Sequence, residues 1–268
     1  MCAMEIIGFV LAIVMGFILG LLGGGGSILT VPILVYILSI DPVLATAYSL
    51  FVVGASSVVG AWRKSSQKLV DWKTGLIFAL PSLTAVFLTR YFLVPAIPAE
   101  LFSIGEFIIT RQVAIMGFFA LVMFPASYSM IKGRKEEQKQ EEQKPFNYPL
   151  IIIQGMLVGV VTALVGAGGG FLIVPALVLL VRLPIKTAIG TSLVIISINS
   201  LVGFMGDLSS GQEIDWIFLL SFTAFSAVGM LIAIYVTKFV RADVLKKGFG
   251  WFVLAMAVFI ILKETVLS

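Results

Sequence analysis

Leu22-Gly23-Gly24-Gly25-Gly26-Ser27-Ile28-Leu29-Thr30-Val31-Pro32 interrupts an otherwise apolar N-terminal region. Val165-Gly166-Ala167-Gly168-Gly169-Gly170-Phe171-Leu172-Ile173-Val174-Pro175 interrupts a second one, 143 residues later. Glycine this dense is poor helix material, because each residue loses more backbone entropy on ordering than alanine does. Hydrocarbon tolerates a broken helix only where the freed backbone groups face protein or a wet cavity. Paired breaks in two halves of a chain therefore point to a transport site.

The surroundings of the breaks make this a membrane chain. It is 60% hydrophobic and only 12% charged, with a mean hydropathy of +1.12. Apolar runs recur at about 4–22, 28–40, 43–62, 74–94, 107–131, 148–166, 171–182, 187–205, 215–237 and 244–266. Most are long enough to cross ~30 Å of hydrocarbon as helix. Strand alternation is lacking, which argues against a β-barrel. The runs 28–40 and 171–182 reach only ~18–20 Å at 1.5 Å per residue. They are expected to be half-helices or returning arms of re-entrant hairpins. The fold expected is an all-α integral membrane protein with about eight full transmembrane helices plus two glycine-broken short helices.

The repeat extends past the glycines. At the same offset of 143, Gly16 matches Gly159, Ala45 matches Ala188, and Ser49-Leu50 match Ser192-Leu193. Ser57 and Gly60 match Ser200 and Gly203, and one residue later in register Asp71-Trp72 match Asp215-Trp216. This order of glycine, proline, serine and Asp-Trp marks a duplication, with repeat 1 at 1–131 and repeat 2 at 148–268. Between them, 132–147 is a polar, charge-dense linker.

Charge then relates the halves. Arg63, Lys64, Lys68 and Lys73 surround the first Asp-Trp, whereas Asp207 and Glu213 precede the second. The positive-inside bias puts these equivalent loops on opposite faces, which is the signature of inverted-topology repeats. The linker, Lys238, Arg241, Lys246 and Lys247 then fall inside, and both termini fall outside a multi-pass cell-membrane protein.

A helix N-terminus offers unpaired N–H groups and about half a positive charge. Glycine before it lets an anion approach the backbone without Cβ in the way. Inverted symmetry would bring both openings toward the midplane from opposite directions. The substrate-binding candidates are therefore Gly24, Gly25, Gly26 and Ser27 in the first break, and Gly168, Gly169 and Gly170 in the second. Small polar residues downstream add Tyr48, Ser49, Thr191, Ser192 and Asn199. Gly16, Gly20, Gly155 and Gly159 follow the small-xxx-small pattern of close helix packing. Asp71 and Asp215 are read as helix caps, and Trp72 and Trp216 as interfacial anchors. Arg90 and Arg111 are read as snorkelling residues near helix ends.

Several chemistries are disfavoured. The chain has no histidine and one cysteine, Cys2, so it lacks the commonest metal ligand, near-neutral proton shuttle and any intrachain disulfide. No phosphate-loop motif and no nucleophile–base set is present, so no enzyme activity is expected. No cofactor, metal or nucleic-acid partner is expected. The expected partners are a small anion and the lipid bilayer, and a homo-oligomer is compatible with the sequence.

The doubled glycine motif, the Ser-Leu-containing helix after each copy and the Val70-Asp71-Trp72 start resemble the sulfite exporter TauE/SafE family, also described as 4-toluene sulfonate uptake permeases. The resemblance runs from about Gly8 to Glu264. By position, Gly23–Ser27 with Pro32, and Gly166–Gly170 with Pro175, carry the family motif. It implies a multi-pass transporter of sulfite or organosulfonates, working as exporter or uptake permease. An anion channel, or a permease for carboxylates or other small anions, shares the same architecture. One departure is Tyr48, which stands where the second half has Thr191.

Overall fold

The computed structural model describes residues 3–93, 100–104, 107–110, 121, 124, 127–128, 131–132, 148–165, 170–208 and 214–266. Repeat 1 contributes α1 (Ala3–Leu22), α2 (Gly25–Pro32), α3 (Pro42–Ser66) and α4 (Trp72–Leu88). Repeat 2 contributes α5 (Tyr148–Val165), α6 (Gly170–Pro175), α7 (Ile185–Leu208), α8 (Trp216–Thr237) and α9 (Ala242–Val266). Leu44–Ser66, Ile185–Leu208 and Trp216–Thr237 are long and apolar enough to cross a membrane, and the other described helices have shorter apolar stretches.

The first break is tighter than its composition suggests. Only Gly23 and Gly24 separate α1 from α2, and Gly25 and Gly26 already form the first turn of α2. The short helix expected at 28–40 thus starts earlier. Gly23 has φ +72°, a left-handed conformation that favours glycine. α2 folds back along α1: a Cβ on Gly26 would strike Leu19 Cβ at 2.6 Å, and one on Gly8 would strike Leu38 Cδ2 at 2.7 Å. The pair is an antiparallel helical hairpin with glycine at its tip.

Both short helices end in the same device. Pro32 and Pro175 close the α-helical turns, and widened π-helical turns follow at Ile33–Ile37 and Ala176–Leu180. A proline that clashes with the preceding turn favours such a change of pitch. Leu38 N–H donates to the Ile33 carbonyl at 3.1 Å, and Val181 N–H to the Ala176 carbonyl at 3.2 Å. Ser39 (φ 55°) and Arg182 (φ 63°) then turn the chain left-handed at equivalent positions.

The two repeats are packed reciprocally. α1 lies along α8, and α5 lies along α4, so the first helix of each repeat meets the fourth of the other. Gly16 abuts the Ser226 carbonyl so closely that no Cβ fits between them. Its equivalent Gly159 would place a Cβ 2.5 Å from the Ser82 carbonyl. These glycines serve backbone-to-backbone approach, as their spacing predicted. α3 and α7 cross at the centre, with Gly54 against Leu201 and Gly203 against Leu50. Buried apolar side chains including Leu19, Phe78, Leu177 and Leu193 form one core, and Met15, Leu34, Tyr48 and Phe222 belong to a second.

One expectation is corrected. The run 107–131 does not begin as helix: Phe107–Thr110 pairs antiparallel with Glu100–Ile104 as a two-stranded hairpin. Phe107-Ile108-Ile109-Thr110 is aromatic and β-branched, which favours strand over helix. Helix is present at Leu121, Phe124, Ser127, Tyr128, Ile131 and Lys132. The linker after Lys132 and Arg111 lie outside the described residues.

Candidate functional site

The glycine tips of the two repeats meet. A Cβ on Gly170, the first residue of α6, would lie 2.8 Å from Gly24 Cα, the residue capping α2. The same Cβ would meet Ile196 Cδ1 of α7 at 2.6 Å. Of the sequence candidates, Gly24, Gly25, Gly26 and Ser27 thus occupy the start of α2, and Gly170 starts α6. Gly166, Gly168 and Gly169 lie outside the described residues.

α7 fastens the first tip. Ser192 Oγ lies 2.6 Å from the Gly23 carbonyl and 2.8 Å from the Ile189 carbonyl, sharing its proton between them. A hydroxyl on the central helix thereby satisfies a carbonyl that the break releases.

Tyr48 and Thr191 are aligned in the repeat, and each reaches across to the other half. Asp215 N–H donates to Tyr48 Oη at 2.7 Å, and Asp71 N–H donates to Thr191 Oγ1 at 2.9 Å. Each hydroxyl accepts from the residue that caps the partner repeat's fourth helix. The carboxylates of those residues face forward, accepting from Thr74 N–H and Thr74 Oγ1 in one case and from Ile217 and Phe218 N–H in the other. Both aspartates are therefore helix caps. Tyr48 is 2% exposed, and its ring packs 6.0 Å from that of Phe218. Tyr48→Phe should remove one cross-repeat bond at a cost of about 1 kcal/mol. A lowered unfolding midpoint and faster amide exchange at Asp215 would report it.

A second reciprocal pair ties the central helices to their neighbours. Ser56 of α3 bonds Ser226 of α8, Oγ to Oγ at 2.8 Å, and Asn199 Nδ2 of α7 donates to Ser82 Oγ of α4 at 2.8 Å. Asn199 is aligned with Ser56, and Ser82 with Ser226 one residue later in register.

Polar atoms remain unanswered around this framework. Ser49 Oγ and Ser57 Oγ on α3, and Asn199 Oδ1 and Ser200 Oγ on α7, are buried without a hydrogen-bond partner among the described residues. Gln154 Oε1 and Thr162 Oγ1 on α5 share that condition. Buried polar atoms are normally paired, because an unmade bond costs about 1–3 kcal/mol. Ser57 and Ser200 are equivalent in the repeat and belong to the small polar clusters downstream of the two breaks, although they are not among the leading candidates read from sequence. Their alignment at offset 143 was the available signal, and only the geometry separates them from the bonded Ser56 and Ser192. The pieces assembled here are two touching glycine tips, crossing helices and hydroxyls with spare hydrogen-bonding capacity. They suit a small oxyanion, which accepts from N–H and O–H groups.

The chain is similar to several proteins over most of its length. The chain is 30% identical over 251 residues to a probable membrane transporter protein of Xylella fastidiosa (strain 9a5c), covering 92% of this chain and 90% of that one. It is 28% identical over 232 residues to the probable membrane transporter protein YunE of Bacillus subtilis (strain 168), covering 80% and 82%. A probable membrane transporter protein of Haemophilus influenzae is 27% identical over 270 residues, covering 92% and 94%. No solved structure matches the chain. The family described as sulfite exporter TauE/SafE matches residues 8–260, and the chain belongs to that family.

Proposed function

We propose that the protein is a secondary transporter of small sulfur-containing oxyanions such as sulfite or organosulfonates, working by alternating access around the joined glycine tips. The observation that carries this reading is the contact of Gly24 with Gly170 beside α3 and α7, whose Ser49, Ser57 and Ser200 keep buried hydroxyls with no partner among the described residues. The Oγ–H groups of the serines and the backbone N–H groups at the starts of α2 and α6 would donate to the anion. Tyr48 and Thr191 join the repeats in this scheme and do not touch substrate. Reciprocal packing of first on fourth helices supports a two-fold relation between the repeats, and the opposite loop charges support its inversion and termini outside the cell.

Ser57→Ala with Ser200→Ala provides a test that separates binding from folding. Deleting two unpartnered hydroxyls should leave the unfolding midpoint unchanged or raise it. Proteoliposome flux of sulfite should fall by about tenfold or more, the order of one charge-assisted hydrogen bond. Full flux through the double variant would sink the assignment. The same vesicles, loaded with sulfite, thiosulfate, sulfate, sulfoacetate or carboxylates under separate proton and sodium gradients, identify the anion and its coupling. Uncoupled flux far above carrier turnover would indicate a channel instead.

A further inference from the structure

The duplication creates two equivalent surface grooves, each of about 380 Å³. One lies between α3 and α8 and is lined by Val59, Trp62, Arg63, Gln67, Tyr235 and Lys238, with Leu231 and Ile234 as part of its floor. The other lies between α7 and α4, where Val202 replaces Val59, Gly206 replaces Arg63, Phe87 replaces Leu231 and Tyr91 replaces Tyr235. Shape is thus held nearly constant while charge changes. The first groove carries Arg63 and Lys238, and the second carries Asp207.

We propose that the α3–α8 groove is a binding site for the headgroup of an anionic phospholipid, with the acyl chains lying on its apolar floor. Trp62 is 77% exposed and Tyr235 is 64% exposed, so the groove opens on the outer surface of the helices, flanked by aromatic side chains of the kind that suit a membrane interface. Its two cations come from different helices and line the same concavity. Neither has an acidic partner among the described residues. Lys64 lies one residue from Arg63, is 1% exposed, and has Lys186 and Lys238 as its electrostatic neighbours. The groove is therefore backed by further positive charge. A single snorkelling arginine meets whatever headgroup is nearby. Two converging cations above an apolar floor select a negative one, as basic pockets between transmembrane helices do. This proposal is independent of the transported anion.

The test is native mass spectrometry of the full chain after exchange into mixed phosphatidylglycerol and phosphatidylcholine. The wild type should retain phosphatidylglycerol preferentially. The Arg63→Gln, Lys238→Gln pair should lose that preference by about tenfold or more. Val59→Trp, which fills the groove and keeps both cations, should also lose bound lipid. Leu83→Ala, in the matched groove, should leave the preference unchanged. Retained preference in both groove variants would overturn the proposal. So would a groove variant that changes only the oligomeric state.

Discussion

Gly170→Val should reduce transport to background while the protein still inserts and purifies as a folded species. The branched side chain would enter a space where Gly24 Cα and Ile196 Cδ1 already stand 2.8 Å and 2.6 Å from a single added carbon. Backbone at Gly24 does not yield as a flexible side-chain end would, so the two tips must part. Parting them removes the convergence of helix starts on which an anion site there depends. Gly248→Val is the matched control, because a Cβ at Gly248 meets nothing within 4 Å among the described residues. Flux assays on both, with size-exclusion profiles to confirm folding, decide the matter. Normal flux through folded Gly170→Val would remove the tip contact from the mechanism.

Gly16→Leu should fail differently, in stability before activity. Any Cβ at Gly16 overlaps the Ser226 carbonyl, and the added side chain would prise α1 from α8 along their shared length. Forced overpacking costs about 1–3 kcal/mol and sometimes more, and a backbone obstacle puts this case at the upper end. Gly159→Leu meets the equivalent Ser82 carbonyl at 2.5 Å and should be slightly milder. Thermal unfolding in detergent should rank the variants wild type above Gly159→Leu above Gly16→Leu. The reverse order, or no loss in either, would mean that these helix pairs have room to separate.

Much of this arrangement was legible in residue spacing. Small-xxx-small glycines announced the α1–α8 and α5–α4 contacts, although not which helix each would meet. Asp71 and Asp215 announced two capped helix starts, because a carboxylate before an apolar run has few other uses. The density of glycine announced a break but overstated its length: Gly25 and Gly26 are helical, and the smallness of Gly26 serves the return of α2 onto α1. Tyr48 and Thr191 have a use as cross-repeat ties that spacing alone does not disclose. Their alignment was visible, but each partner is a backbone N–H in the other repeat, and a backbone donor leaves no mark in sequence. The hairpin at 100–110 escaped for another reason: Phe107-Ile108-Ile109-Thr110 is as apolar as the helix expected there, and hydropathy does not separate the two.

The unequal pegs carry a consequence for the shape of the molecule. A phenol reaches much further from its backbone than a threonine hydroxyl, yet both end on the same atom of the opposite half. The start of α8 must therefore stand further from α3 than the start of α4 stands from α7. Two ends built from one ancestral plan are then braced at different spans, so the crossed pair α3 and α7 is not held symmetrically.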